Sequence, residues 1–484
     1  MDPLDRVTAI WQPLAGVLTV IIAALASAHV VLHKRDSRAT ILWVGFIWLV
    51  PVLGPVLYLL LGINRIRRRA VSLRGSSPQL VGIAPAILDP LVLPDSLLQE
   101  AAHLRSLAQL VGRVVGLPLI EGNTLRALVQ GDEAYPAMLS AIESARRTIS
   151  FSSYIFDADK SGQLFVAALG RAVRRGVQVR VLIDDAGARY SWPSIVHPLR
   201  RAGVPVARFL PTFVPWRLMA MNLRNHRKIM VVDGRLGFTG GMNIRHGNRV
   251  AEHPRRPVQD LHFQLEGPVV AQLQETFASD WAFVTKEALA GEDWFPPLEG
   301  RGKLMARAIP DGPDEDFEKL RLTILGALAC AQKSVQILTP YFLPDPALIS
   351  ALNIAALRGV AVDILLPRKN NLPFVHWASQ AMWWQVLQRG CRVWLTAPPF
   401  DHSKLMLVDG IWTLLGSANW DPRSFRLNFE FNLECYGRDL ATQLQALVRR
   451  KLETATPVTL GQIDGRNLPS KLRDGVARLL TPYL

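Results

Sequence analysis

Two short stretches of this 484-residue chain carry the same reactive side chains at the same intervals: His226, Lys228 and Asp233, then His402, Lys404 and Asp409. Each histidine is followed 17 residues later by an asparagine, Asn243 or Asn419, on a small-residue turn, Gly240-Gly241-Met242 or Gly416-Ser417-Ala418. Histidine changes protonation near neutral pH and serves as nucleophile, acid or base. Lysine and the asparagine amide supply donors for the non-bridging oxygens of a phosphoester. A duplicated unit whose copies meet at one site is the economical reading.

These groups must be held by something. Residues 228–233 and 404–409 are apolar and β-branched and predict short buried strands. Side chains two apart on a strand point the same way, so His226 with Lys228, and His402 with Lys404, should face one cavity. Asp233 and Asp409 end these strands, an odd number of residues from their lysines, and suit a scaffold role better than chemistry. Around each motif the order repeats. Helix 135–148, strand 149–155, helix 162–175 and strand 177–183 precede the first; helix 317–332, strand 335–339, helix 347–358 and strand 360–366 precede the second. Such alternation predicts an α/β fold with a parallel-rich sheet.

The paired patterns resemble the HKD motifs of the phospholipase D superfamily. The flanks Asn225-His226-Arg227-Lys228, Thr339-Pro-Tyr-Phe-Leu-Pro344 and the run from Asn419 to Glu430 are similar to bacterial cardiolipin synthases of that type. The resemblance implies two α/β/α sandwich units in pseudo-twofold arrangement, residues 121–305 and 306–484, after a membrane hairpin (1–75) and a linker (76–120). It also implies phosphatidyl transfer between two phosphatidylglycerol molecules, giving cardiolipin and glycerol through a phosphatidyl-histidine. His226 would be the nucleophile and His402 the acid. Glu430 fits the orienting carboxylate for its own motif's His402, and Asp260 is a weaker candidate for His226. Arg224, Arg227 and Arg423 are candidates for headgroup phosphates. A hydrolytic phospholipase D and a membrane-tethered nuclease are the alternatives within the superfamily, and a non-catalytic binder of anionic lipid is the alternative outside it.

Composition narrows the partners. A formal charge of +15 calls for an anionic partner, and 13 Trp with 18 Phe favour a lipid interface over nucleic acid, which is not expected. Cys330, Cys391 and Cys435 make neither a disulfide framework nor a metal cluster, so neither metal nor cofactor is expected and a reducing compartment is implied. Residues 14–32 and 39–63 are free of Asp, Glu, Lys and Arg, and each is long enough for a bilayer core of about 30 Å. Pro51, Gly54 and Pro55 interrupt the second and leave a re-entrant hairpin open. The basic flank from Arg65 to Arg74 predicts a cytoplasmic large domain, and with the two apolar segments the resemblance implies a multi-pass protein of the bacterial inner membrane. Three apolar stretches (213–219, 377–384 and 398–400) lie before the histidines and read either as packing or as a mouth for acyl chains. Leu472, Val476, Leu479 and Leu480 mark a C-terminal amphipathic helix suited to anionic lipid or to docking on the domain.

Overall fold

A computed structural model describes residues 3–34, 37–59, 95, 101–211, 223–312 and 318–481. The chain divides into two compact units, Met1–Arg69 and Ala70–Leu484.

In the first unit, helix Pro3–His33 contains an apolar stretch, Pro13–His33, of 21 residues and hydropathy 2.3. It is, among the described residues, the one helix long and apolar enough to cross a membrane. The second apolar segment does not form the single helix expected over 40–63. Helix Ser37–Leu49 stops after 13 residues, a turn follows, and helix Leu53–Leu57 adds five. Pro51 explains the stop: it lacks an N–H and disfavours helical backbone in the residue before it. At 1.5 Å per residue the 13-residue piece spans about 20 Å, short of a bilayer core of about 30 Å. Residues 60–63 lie outside the described residues. The segments pack through Ala23, Val30, Ile47 and Tyr58, and the Tyr58 hydroxyl sits 2.8 Å from His29 Nδ1.

The second unit is built on a 16-stranded mixed sheet and a separate two-stranded one. In the first half its strands are β1 (Ile120–Val129), β2 (Thr148–Ser153), β3 (Gln178–Asp184), β4 (Val206–Phe209), β5 (Arg224–Asn225), β6 (Ile229–Val232), β7 (Leu236–Gly240), β8 (Val258–Gln259) and β9 (Leu261–Glu266). The second half holds β10 (Leu304–Asp311), β11 (Ser334–Leu338), β12 (Ala361–Pro367), β13 (Arg392–Thr396), β14 (Phe400–Asp401), β15 (Leu405–Val408), β16 (Trp412–Gly416), β17 (Asn428–Tyr436) and β18 (Thr456–Val458). Fifteen of them follow the order β18-β13-β12-β11-β15-β16-β17-β10-β1-β9-β7-β6-β2-β3-β4, which reads outward in matching sequence from the β1–β10 seam; β5 pairs with β17 off this path, and β8 and β14 make the two-stranded sheet.

The sheet is less parallel than expected. Along that order only β2-β3-β4 and β11-β12-β13 run parallel, each linked by a helical crossover. The inner strands are antiparallel, because tight turns such as Asp233-Gly234 and Asp409-Gly410 join neighbours that can then pair only head to tail. One apolar cluster belongs to each half, and a third draws Leu261, Phe263, Leu405 and Phe431 from both. Arg307 of β10 and Glu434 of β17, both fully buried, pair at 2.6 Å along the seam.

Two short pairings cross between the halves and set up everything that follows. β5, just before His226, runs parallel to residues 428–429 of β17; β14, just before His402, runs parallel to β8. The His226 amide donates to the Phe429 carbonyl and the His402 amide to the Gln259 carbonyl, each at 2.8 Å.

Candidate active site

Because of that exchange, each histidine finds its carboxylate in the opposite half. His402 Nδ1 lies 2.8 Å from Asp260 Oδ2, and His226 Nδ1 lies 3.3 Å from Glu430 Oε1. This corrects the expected pairing of Glu430 with His402 and Asp260 with His226. Glu430 and Asp260 each follow the dipeptide on which the other half's motif strand is laid, so they reach across the seam and not back to their own motif. Small residues make room for them. A Cβ at Gly241 would stand 2.4 Å from the Asp260 carboxylate; the corresponding Ser417 donates its hydroxyl to Glu430 at 2.5 Å. With Nδ1 turned to a carboxylate, each ring offers Nε2 to a substrate.

Both histidines open into one cavity of about 520 Å³, also lined by Lys228, Asn243, Asn419, Arg224 and Arg423. Lys228 and Lys404 are nearly buried, and each ammonium donates to the carbonyl of the histidine two residues before it, at 2.6 Å for Lys228. Lys404 lies behind Asn419, in a small adjoining pocket. Asn243 Oδ1 accepts the Ile155 N–H at 3.1 Å, which leaves its amide N–H groups for other partners. Asn419 Oδ1 is buried without a hydrogen-bond partner among the described residues.

Burial dominates the electrostatics. It pulls His226 down to about 4 against the opposing charge of Glu430, and it holds His402 well below the usual imidazole range, helped by Lys404 and Lys228. Both shifts favour the neutral ring at pH 7. Burial also lowers Lys228 to about 8 and Lys404 to about 7, with Glu430 and Asp260 pulling the other way. Asp260 is pushed up to about 7 by burial. For Glu430 burial pushes upward, but His226 and Lys228 outweigh it and keep the carboxyl below its ordinary value.

Other candidates fall elsewhere. Asp233 and Asp409 do not line the cavity. Asp233 accepts the backbone N–H groups of Arg146, Arg147 and Thr148 at 2.7–3.2 Å, and Asp409 those of Gln332, Lys333 and Ser334 at 2.7–2.9 Å. Both sit at positive φ, 50° and 54°, closing the turn after the motif strand. Arg227, a candidate for phosphate, is instead a buried strut across the seam. It donates to Asp280 at 2.6 Å and to the carbonyls of Glu430 and Asp311, because an odd offset from His226 turns it to the sheet's other side. Of the apolar stretches, Phe400 lines the cavity, Met382 and Trp383 are core, Trp377 lies under Arg473, and 213–219 falls outside the described residues except as sequence. Two tyrosines that the sequence does not mark as site residues also line the cavity: Tyr154, its ring 4.1 Å from that of His226, and Tyr341, from the Thr339–Pro344 stretch, 6.2 Å from that of His402.

A model of the cardiolipin synthase PLD-like domain matches residues 138–281 and 324–452, the strands and helices that carry this site. A model of the phospholipase D-nuclease N-terminal region matches residues 21–62. The chain is 32% identical over 478 residues to a cardiolipin synthase of Geobacillus thermodenitrificans, covering 97% of this chain and 94% of the relative. It belongs to the cardiolipin synthase family. Cardiolipin synthase A of Pseudomonas putida is 33% identical over 473 residues, 96% of each chain. The fold is shared with phosphatidylserine synthase of Haemophilus influenzae, at a TM-score of 0.61 and 15% identity over 78% of this chain and all of that one. The family and the apolar N-terminal helix make this a membrane-associated phospholipase D-type phosphatidyltransferase.

Proposed function

We propose that the protein is a cardiolipin synthase that transfers a phosphatidyl group from one phosphatidylglycerol to the terminal hydroxyl of another. The observation that carries this is the crossed pair: two imidazoles from opposite halves open on one cavity, each backed by the other half's carboxylate. In the first step His226 Nε2 attacks phosphorus. The P–N bond forms as the P–O bond to glycerol breaks, and His402, protonated once the anionic phosphate is bound, gives its Nε2 proton to the departing oxygen. In the second step the acceptor hydroxyl gives its proton to His402, its oxygen bonds to phosphorus, and the P–N bond breaks. Cardiolipin and glycerol are the products.

The proton inventory supports these roles. Glu430, held ionised, fixes the Nδ1–H of His226 and frees its Nε2 lone pair for attack. Asp260, with its carboxyl raised towards neutrality by burial, suits the partner that loads and unloads a proton. Lys228, Lys404, Asn243 and Asn419 would hold the non-bridging oxygens and offset the charge of the pentacoordinate state. Asp233 and Asp409 act on the scaffold alone. The protein would sit at the bacterial inner membrane with its catalytic unit on the cytoplasmic side, the side of the basic flank 65–74.

The test is incubation with labelled phosphatidylglycerol in vesicles containing a metal chelator, followed by lipid analysis. Cardiolipin and glycerol in equal amounts are expected. Phosphatidic acid as sole product would make the protein a hydrolase, and DNA cleavage without lipid turnover a nuclease.

A further inference from the structure

The reacting groups are matched between the halves, but the walls around them are not. Two residues before the motif histidine stands Arg224 in the first half and Phe400 in the second. Two residues after the motif asparagine stands Arg245 in the first half and Asp421 in the second. All four line the cavity. Next to Phe400 the second half adds Leu372, Pro373, Phe374 and Val375, an apolar wall that opens at Phe374. The first half thus presents cations, Arg245 with its Nε on Asp157 at 3.0 Å, where the second presents hydrocarbon or a carboxylate.

Arg224 is the telling residue. It is 93% buried, as its exposure of 7% implies, yet among the described residues its one hydrogen bond is to the Leu223 carbonyl at 3.3 Å. Among the described residues no carboxylate lies within 4.0 Å of its guanidinium. Asp184 lies close enough to be felt, but its oxygens already accept the N–H groups of Ala186, Gly187 and Asn225. A buried guanidinium without a counter-ion is costly unless an anion completes the site. The transferred phosphoryl group is already provided for by the lysines and asparagines. Arg224, which lines the cavity with Asp184 as the carboxylate it feels, is thus left to meet a second anion close to the first. Along the chain Arg224, His226 and Lys228 share one side, about 6.6 Å per step of two residues. A glycerol bridge between two phosphates spans a comparable distance.

Resting on the transfer reading above, we propose that Arg224 and Arg245 form a second anion subsite that holds the phosphodiester of the acceptor lipid. The subsite selects an alcohol that already bears a phosphate over glycerol or water.

Two products that draw on one phosphatidyl-enzyme provide the test. Protein in mixed micelles of phosphatidylglycerol is given radiolabelled glycerol. Exchange with glycerol, which carries no phosphate, yields labelled phosphatidylglycerol; the phosphate-bearing acceptor yields cardiolipin. Arg224→Gln should lower the ratio of cardiolipin to exchange by about tenfold or more. Arg224→Lys should restore much of it, and Arg245→Gln should lower it less steeply. If Arg224 held the donor phosphate or merely stabilised the fold, both products would fall together, and an unchanged ratio overturns the proposal. Should Arg224→Gln fail to fold, the more exposed Arg245→Gln decides alone: a lowered ratio supports the subsite and an unchanged one overturns it. Absence of both products from the unsubstituted protein would sink the transfer reading itself, a separate and recognisable failure.

Discussion

Replacing Glu430 by glutamine should disable His226, in the other half of the chain, and spare His402, with which Glu430 shares a motif. The side chain is fully buried, and its carboxylate meets Ser417 Oγ at 2.5 Å, Asn428 Nδ2 at 3.1 Å and His226 Nδ1 at 3.3 Å. Glutamine keeps the volume and loses the charge. A hydrogen bond to a charged group contributes about 1.5–3 kcal/mol, and at about 1.4 kcal/mol per factor of ten this is roughly 10- to 150-fold in rate. A second loss adds to it. Glu430 is the carboxylate that most supports the charge of Lys228, so without it Lys228 drops below its value of about 8 and becomes partly neutral at pH 7. A phosphate contact weakens with it, and the combined loss in kcat should be about 10²- to 10⁴-fold. Nitrogen-15 spectra of labelled histidines give the readout that turnover alone does not. Glu430→Gln should move the His226 imidazole signals and leave those of His402, and Asp260→Asn should do the reverse. Signals of His402 that move with Glu430→Gln while His226 stays put would refute the crossed arrangement, as would turnover within a factor of about three of the parent.

Three further outcomes follow from the same geometry. Lys404 at about 7 and Lys228 at about 8 lose protons as pH rises, so kcat/KM should decline above about pH 7 and not recover; a rise towards pH 9 would contradict the lysine clamp. Asp409→Ala strips the acceptor from three backbone N–H groups and should cost about 2–4 kcal/mol, read as a lower melting temperature, with kcat of the folded fraction kept within about tenfold. Arg227→Met leaves Asp280 buried without its partner and should cost about 3–5 kcal/mol in chemical denaturation; unchanged stability with a raised KM for lipid would return Arg227 to the substrate.

Much of the site could be read from residue types and spacing because its reactive part is duplicated. His226 and Lys228 lie close together in sequence, so an alternation rule suffices to place them on one side of a strand. The crossed carboxylates could not be read this way. They depend on β5 and β14, two residues long, choosing neighbours in the other half, and no local pattern encodes such a choice. Charge beside a motif suggests a ligand contact, whereas the odd offset of Arg227 turns it towards Asp280. Helix–strand alternation likewise describes only the outer, parallel strands, and the inner ones are set by turns at Asp233 and Asp409. In the N-terminal unit apolar composition suggested a second long helix, but Pro51 ended it after Leu49.

The stereochemical course at phosphorus tests the role of the two imidazoles most directly. Phosphatidylglycerol made chiral at phosphorus with oxygen isotopes is converted to cardiolipin, and the configuration of the transferred centre is read by phosphorus NMR. Two in-line displacements, one by His226 and one by the acceptor hydroxyl, give net retention. Net inversion would mean a single displacement with no phosphatidyl-histidine, and the assignment of a nucleophilic imidazole would fall.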